Sequence, residues 1–75
     1  MAKLRTTRRE IESLLTTEMR RRYPTTRYVA LMPIIGGFRC FVRWQLSPND
    51  KTVPPNEDAE ALLADLLRRF EIVEQ

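Results

Sequence analysis

Seventy-five residues with one cysteine and no histidine bound the chain to a single small domain, 1–75, without an internal disulfide. The missing imidazole removes the usual general base and most transition-metal sites, so an enzyme, a metal and a cofactor are not expected. The net charge of +3 hides a division. Residues 1–46 carry ten of the thirteen Lys and Arg and three of the ten acids, a net +7, and residues 47–75 carry −4. The first half suits a polyanion, and the second half suits the first.

The N-terminus, Met-Ala-Lys-Leu-Arg, is charged and does not read as a signal peptide. No apolar run approaches the roughly 20 residues that span a bilayer. A lone thiol fits a reducing, cytoplasmic home.

The first expected element is a helix from Thr7 to about Tyr23. Thr7 and Glu10 have the spacing of a capping box. Ile11, Leu14, Leu15, Met19 and Tyr23 recur at helical spacing, and Pro24 ends the helix because the residue before proline is pushed out of the α region. Thr16 and Thr17 are weak helix formers, so packing has to hold the middle. Arg20, Arg21 and Arg22 fill the last turn, where the macrodipole favours cations. They also form a candidate phosphate- or acid-binding cluster, although consecutive helical positions cannot all face one partner.

Arg27 to Trp44 reads as a β-hairpin with Gly36-Gly37 as its two-residue turn. That register pairs Ile35 with Phe38, Pro33 with Cys40, Leu31 with Val42 and Val29 with Trp44, eight apolar residues on one face. Cys40 is then a small buried hydrophobe. The opposite face pairs Ile34 with Arg39, Met32 with Phe41, Ala30 with Arg43 and Tyr28 with Gln45. Pro33 has no N–H, so its nitrogen belongs at an open edge or a bulge.

Gln45 to Pro55 is a loop rich in turn residues, mobile or contact-making. Asn56 or Pro55 opens a second helix to about Phe70, with Glu57, Asp58 and Glu60 near its start. Its stripe is Ala59, Leu62, Leu63, Leu66, Phe70 and Val73. The carboxylates, Asp65 included, read as helix-start charges and a solvated face. The tail Glu71-Ile72-Val73 continues the helix or forms a short strand.

The expected fold is α+β, a two-layer α-β-β-α unit: a two-stranded antiparallel hairpin covered on one face by two helices, with Trp44, Phe38 and Phe70 as large core members. Two bare edges suggest a homodimer that joins hairpins into a four-stranded sheet.

The mixed hairpin face carries the functional expectation. Arg39, Phe41 and Arg43 alternate along one strand opposite Tyr28 and Met32. Rings to stack on bases and cations to meet phosphates are what single-stranded nucleic acid asks of a sheet. Arg20, Arg21, Arg22 and Arg27 extend the charge. The alternative is an adaptor or inhibitor that binds a protein partner through Ile34, Met32 and Phe41, and a plain solvated face is the third reading. The run from Met19 to Leu31, a basic helix end followed by Tyr-Pro and a strand, is similar to the DinI-like modulators of recombination. That family begins with an additional strand and ends in a strongly acidic, tryptophan-bearing helix. Neither feature is read here, and no residue role is carried over.

Overall fold

The computed structural model describes residues 3–73; the part of the signal-peptide reading that rests on Met1 and Ala2 lies outside them. The element order is β1 (Leu4–Thr6), α1 (Arg8–Arg22), β2 (Thr26–Ile34), β3 (Gly37–Trp44), α2 (Asn56–Arg69) and β4 (Phe70–Ile72). The chain is a mixed α+β unit with two helices, a β2–β3 antiparallel hairpin and a second, parallel pair, β1–β4. No helix among the described residues is long and apolar enough to cross a membrane.

Helix α1 starts where the capping spacing places it. The Thr7 side chain accepts from the Glu10 N–H at 3.2 Å. The Glu10 carboxylate does not reach back to Thr7, however. It accepts from the Thr6 hydroxyl at 2.9 Å, so the box is half formed and its second arm ties the helix to β1. The helix closes at Tyr23, whose N–H donates to the Met19 carbonyl at 2.7 Å. The hydroxyls of Thr16 and Thr17 bond back to the carbonyls of Glu12 and Ser13, which satisfies their donors within the helix.

Ile11, Leu15 and Met19 from α1, Val29, Leu31 and Cys40 from the hairpin, and Ala59 and Leu63 from α2 form the buried core. Phe38, Val42, Phe70 and Ile72 pack against it, half-buried. Trp44 departs from expectation: it is 44% exposed, at the end of β3 opposite Thr26. Leu14, the outer member of the α1 stripe, is exposed too.

The hairpin register is a correction. Val29 lies opposite Val42, Leu31 opposite Cys40 and Pro33 opposite Phe38, and Ile34 opposite Gly37 closes the ladder. The turn residues are therefore Ile35 and Gly36, not Gly36 and Gly37. Gly36 has φ +89° and no non-glycine residue among the described residues has positive φ, so only the second turn position is left-handed, as in a type II turn. The shift is two residues, which conserves parity. From Tyr28 to Pro33 and from Phe38 to Arg43 each residue keeps its expected side of the sheet, but every cross-strand partner changes. Ile35, counted in the apolar face, projects from the turn fully exposed, and Pro33 is exposed as well. A register irregularity between Thr26 and Tyr28 sets Arg27 out as the unpaired residue of a bulge.

Two short strands complete the fold, one of them unexpected. No strand is expected ahead of Thr7, yet Leu4–Thr6 pairs in parallel with Phe70–Ile72, Leu4 opposite Phe70 and Thr6 opposite Ile72. The Val73 N–H donates to the Thr6 carbonyl at 2.8 Å. This settles the open tail as strand, and it ends α2 at Arg69. The long loop is pinned: the Thr25 hydroxyl donates to the Thr52 carbonyl at 2.6 Å, and Pro54 is buried.

Candidate functional site

The outward face of the hairpin carries Tyr28, Ala30, Met32 and Ile34 on β2 and Arg39, Phe41 and Arg43 on β3. Period-two alternation sends Val29, Leu31, Cys40 and Val42 inward to the helices and these residues to solvent. Tyr28, Met32, Ile34 and Phe41 are between 42 and 53% exposed. In the observed register Tyr28 lies opposite Arg43, Ala30 opposite Phe41 and Met32 opposite Arg39. Arg39 thus stands across from Met32 rather than Ile34, Arg43 across from Tyr28 rather than Ala30, and Phe41 across from the smallest residue of the face. Tyr28 and Phe41 are diagonal neighbours, a separation of about 7–8 Å for such pairs.

The platform is held along both outer edges of the hairpin. The Val29 N–H donates to the Thr16 hydroxyl at 2.9 Å, and the Leu31 N–H donates to Glu12 Oε2 at 2.7 Å. Both amides belong to the outer edge of β2, and Pro33, the next residue in that row, has no N–H to satisfy. On the outer edge of β3, Asn56 acts as a two-point clamp. Its Oδ1 accepts from the Val42 N–H and its Nδ2 donates to the Cys40 carbonyl, each at 3.2 Å. Asn56 therefore serves the sheet rather than capping α2, whose start has no side-chain cap. Sequence reasoning reads Asn56 as a helix start and Thr16 as a weak helix former, and it gives neither them nor Glu12 a bond to the sheet; polar residues near a strand of alternating pattern are too common to single out.

The expected cations divide into two groups. Arg43 has no ion-pair partner among the described residues, and Arg39 has a distant one, Glu60 at 4.0 Å, with both side chains about half exposed. Such a pair contributes little and yields readily to a competing anion. The helix-end arginines are more committed. Arg20 Nε donates to the Thr26 carbonyl at 3.2 Å and its Nη2 donates to the Arg27 carbonyl, which fastens the bulge to α1. Arg21 pairs with Glu18 at 2.9 Å, a bond that holds the Glu18 carboxyl below its ordinary range and raises Arg21. Arg22 lies 3.9 Å from the same carboxylate. Arg27 donates to Gln45 Oε1. Of the trio, Arg20 is tied to the bulge beside the Tyr28–Arg43 pair, whereas Arg21 and Arg22 pair with Glu18 on their own helix.

Arg9, missing from the expected set, belongs near the platform. With Glu12, Ser13 and Thr16 of α1 and Tyr28, Val29 and Ala30 of β2 it lines a depression of about 290 Å³. A second depression of about 390 Å³ runs from Tyr28 and Ala30 over Met32 to Phe41 and Arg43. The sequence could not place Arg9 here, because helical periodicity says which face a residue occupies but not which strand edge that face borders.

Acid–base or nucleophilic chemistry finds little to work with. Cys40 is buried, and desolvation, with the Glu60 charge adding to it, pushes its thiol up to about 11. Tyr23 donates its hydroxyl to Asp58 Oδ2, and that bond raises its pKa; the pair ties the end of α1 to the start of α2. No group of three or more metal-ligating side chains occurs among the described residues. Comparison with family models, with curated proteins and with solved structures finds no match for this chain.

Proposed function

We propose that this chain is a small, non-enzymatic regulatory protein that binds nucleic acid on the outward face of its hairpin. The observation that carries the reading is the composition of that face. Two arginines and two aromatic rings stand exposed on a sheet braced along both outer edges, and none of its outward positions holds a carboxylate. Rings stack on bases and guanidinium groups meet phosphates. Arg39, Arg43, Phe41 and Tyr28 make the contact. Arg27 and Arg20 to Arg22 add charge from the rim. The lone thiol goes with a cytoplasmic setting.

The test is binding to short oligonucleotides at low and at physiological salt, with Arg39→Ala/Arg43→Ala as the control. Affinity is expected to fall steeply with salt through counterion release, and the double variant is expected to lose most of it. No binding at low salt ends the reading.

One observation favours a second reading: Ile34, Met32 and Phe41 expose apolar surface side by side, which suits a protein partner for an adaptor or inhibitor. In that case Phe41→Ala weakens binding more than added salt does.

A further inference from the structure

The two depressions beside the hairpin share Tyr28 and Ala30. They adjoin at these residues, and taken together they trace a line across the face. It enters between α1 and β2 at Arg9 and Ser13, dips over Ala30, and leaves between Phe41 and Arg43. The dip exists because Ala30 is small, while Tyr28 and Met32 flank it on its own strand and Phe41 stands across from it. Glu12 is the acid in this lining, and one of its carboxylate oxygens is taken by the Leu31 N–H. Cations thus stand at both ends of a concave floor edged by aromatic rings.

Resting on the nucleic-acid reading above, we infer that the ligand is single-stranded and crosses the strands along this path. One base sits over Ala30 between Tyr28 and Phe41, and the phosphates on either side meet Arg9 and Arg43. A duplex cannot use the dip, because its bases are stacked on one another, whereas an unpaired base offers a free face to each ring.

The experiment is fluorescence anisotropy with labelled oligothymidine of about 12 nucleotides, within the ~4–16 nucleotide range of such platforms, beside a duplex of equal length. Four proteins are compared: wild type, Ala30→Leu, Phe41→Leu and Arg9→Ala. Circular dichroism checks that each is folded. Ala30→Leu fills the dip without touching the core, and Phe41→Leu keeps apolar bulk but removes the ring. Each is expected to weaken single-strand binding by about five- to 100-fold, the range of one lost stacking contact. Arg9→Ala should reduce the salt slope by about 1. The single strand should bind at least about tenfold tighter than the duplex, a clear margin on the scale of one stacked base.

Equal or tighter duplex binding, with Ala30→Leu and Phe41→Leu neutral, overturns the single-strand path. The broader reading then survives if Arg39→Ala/Arg43→Ala still abolishes binding. A wild type that binds neither probe overturns both, and a protein partner becomes the remaining occupant of the face.

Discussion

Thr7 shows how far a local signal carries. The threonine–glutamate spacing predicts the start of α1 correctly, yet only the first of its two bonds forms, because the neighbouring Thr6 hydroxyl competes for the Glu10 carboxylate. Thr7→Ala should therefore cost about 1 kcal/mol, measured by urea unfolding, and no loss would mean that the cap bond does not hold the helix start. Cys40 gives a second residue-scale test. Its thiol is raised from an ordinary 9.0 to about 11 by burial, so the folded state favours the protonated form. A raised pKa contributes stability that is complete below the unfolded value and lost as pH climbs through the folded one. Stability should fall between about pH 9 and 11, by roughly 2–3 kcal/mol from this group. Tyr23, also raised, adds a loss of the same sign at higher pH. In Cys40→Ala the decline from pH 9 should flatten; an unchanged decline would assign it elsewhere.

At the scale of elements, β2 and β3 separate what alternation can and cannot report. Period two distinguishes inward from outward residues, so both faces of the hairpin were legible, and with them the candidate site. It is blind to a slip of two, which leaves every side chain on its own face. The register was therefore decided by turn chemistry alone, and Gly36-Gly37 admits more than one turn. Ile35 tolerates the first turn position because its φ is not positive, which frees Gly37 to begin β3. Gly36→Ala should accordingly cost about 1–2 kcal/mol, the penalty of a left-handed backbone with a Cβ, although the space around Gly36 is open. A neutral result would mean that residue 36 does not hold a left-handed turn position. The faces have their own test: Val42→Asp should unfold the protein and Arg43→Asp should not. The reverse would mean that the faces are swapped. β1 was illegible, and β4 undecided between helix and strand, for a different reason. Three residues are too few to display a period, and each strand exists only because the other, at the far end of the sequence, lies beside it.

For the whole molecule, the charge division and the sheet edges decide what remains available to a partner. Arg39 reaches Glu60 across the two halves of the chain, but Arg21 and Arg22 pair with Glu18 in their own half, and Arg68 and Arg69 with Asp65 in theirs. Among the described residues Arg43 on the hairpin face has no ion-pair partner, which supports an external anion. The edges bear on self-association. Bare hairpin edges would invite a second copy to complete a four-stranded sheet, but Thr16 and Glu12 occupy the β2 amides at Val29 and Leu31, Pro33 offers none, and Asn56 holds β3 at Cys40 and Val42. A joining strand would have to displace these bonds, worth about 0.5–1.5 kcal/mol for the hydroxyl and 1.5–3 for the carboxylate. Glu12→Ala/Thr16→Val should therefore lower stability by a few kcal/mol and, by uncovering two amides, raise association in sedimentation velocity above that of wild type at equal concentration. Equal association by the two proteins would show that the helix side chains do not guard this edge, and a four-stranded dimer through β2 would again be open to the native chain.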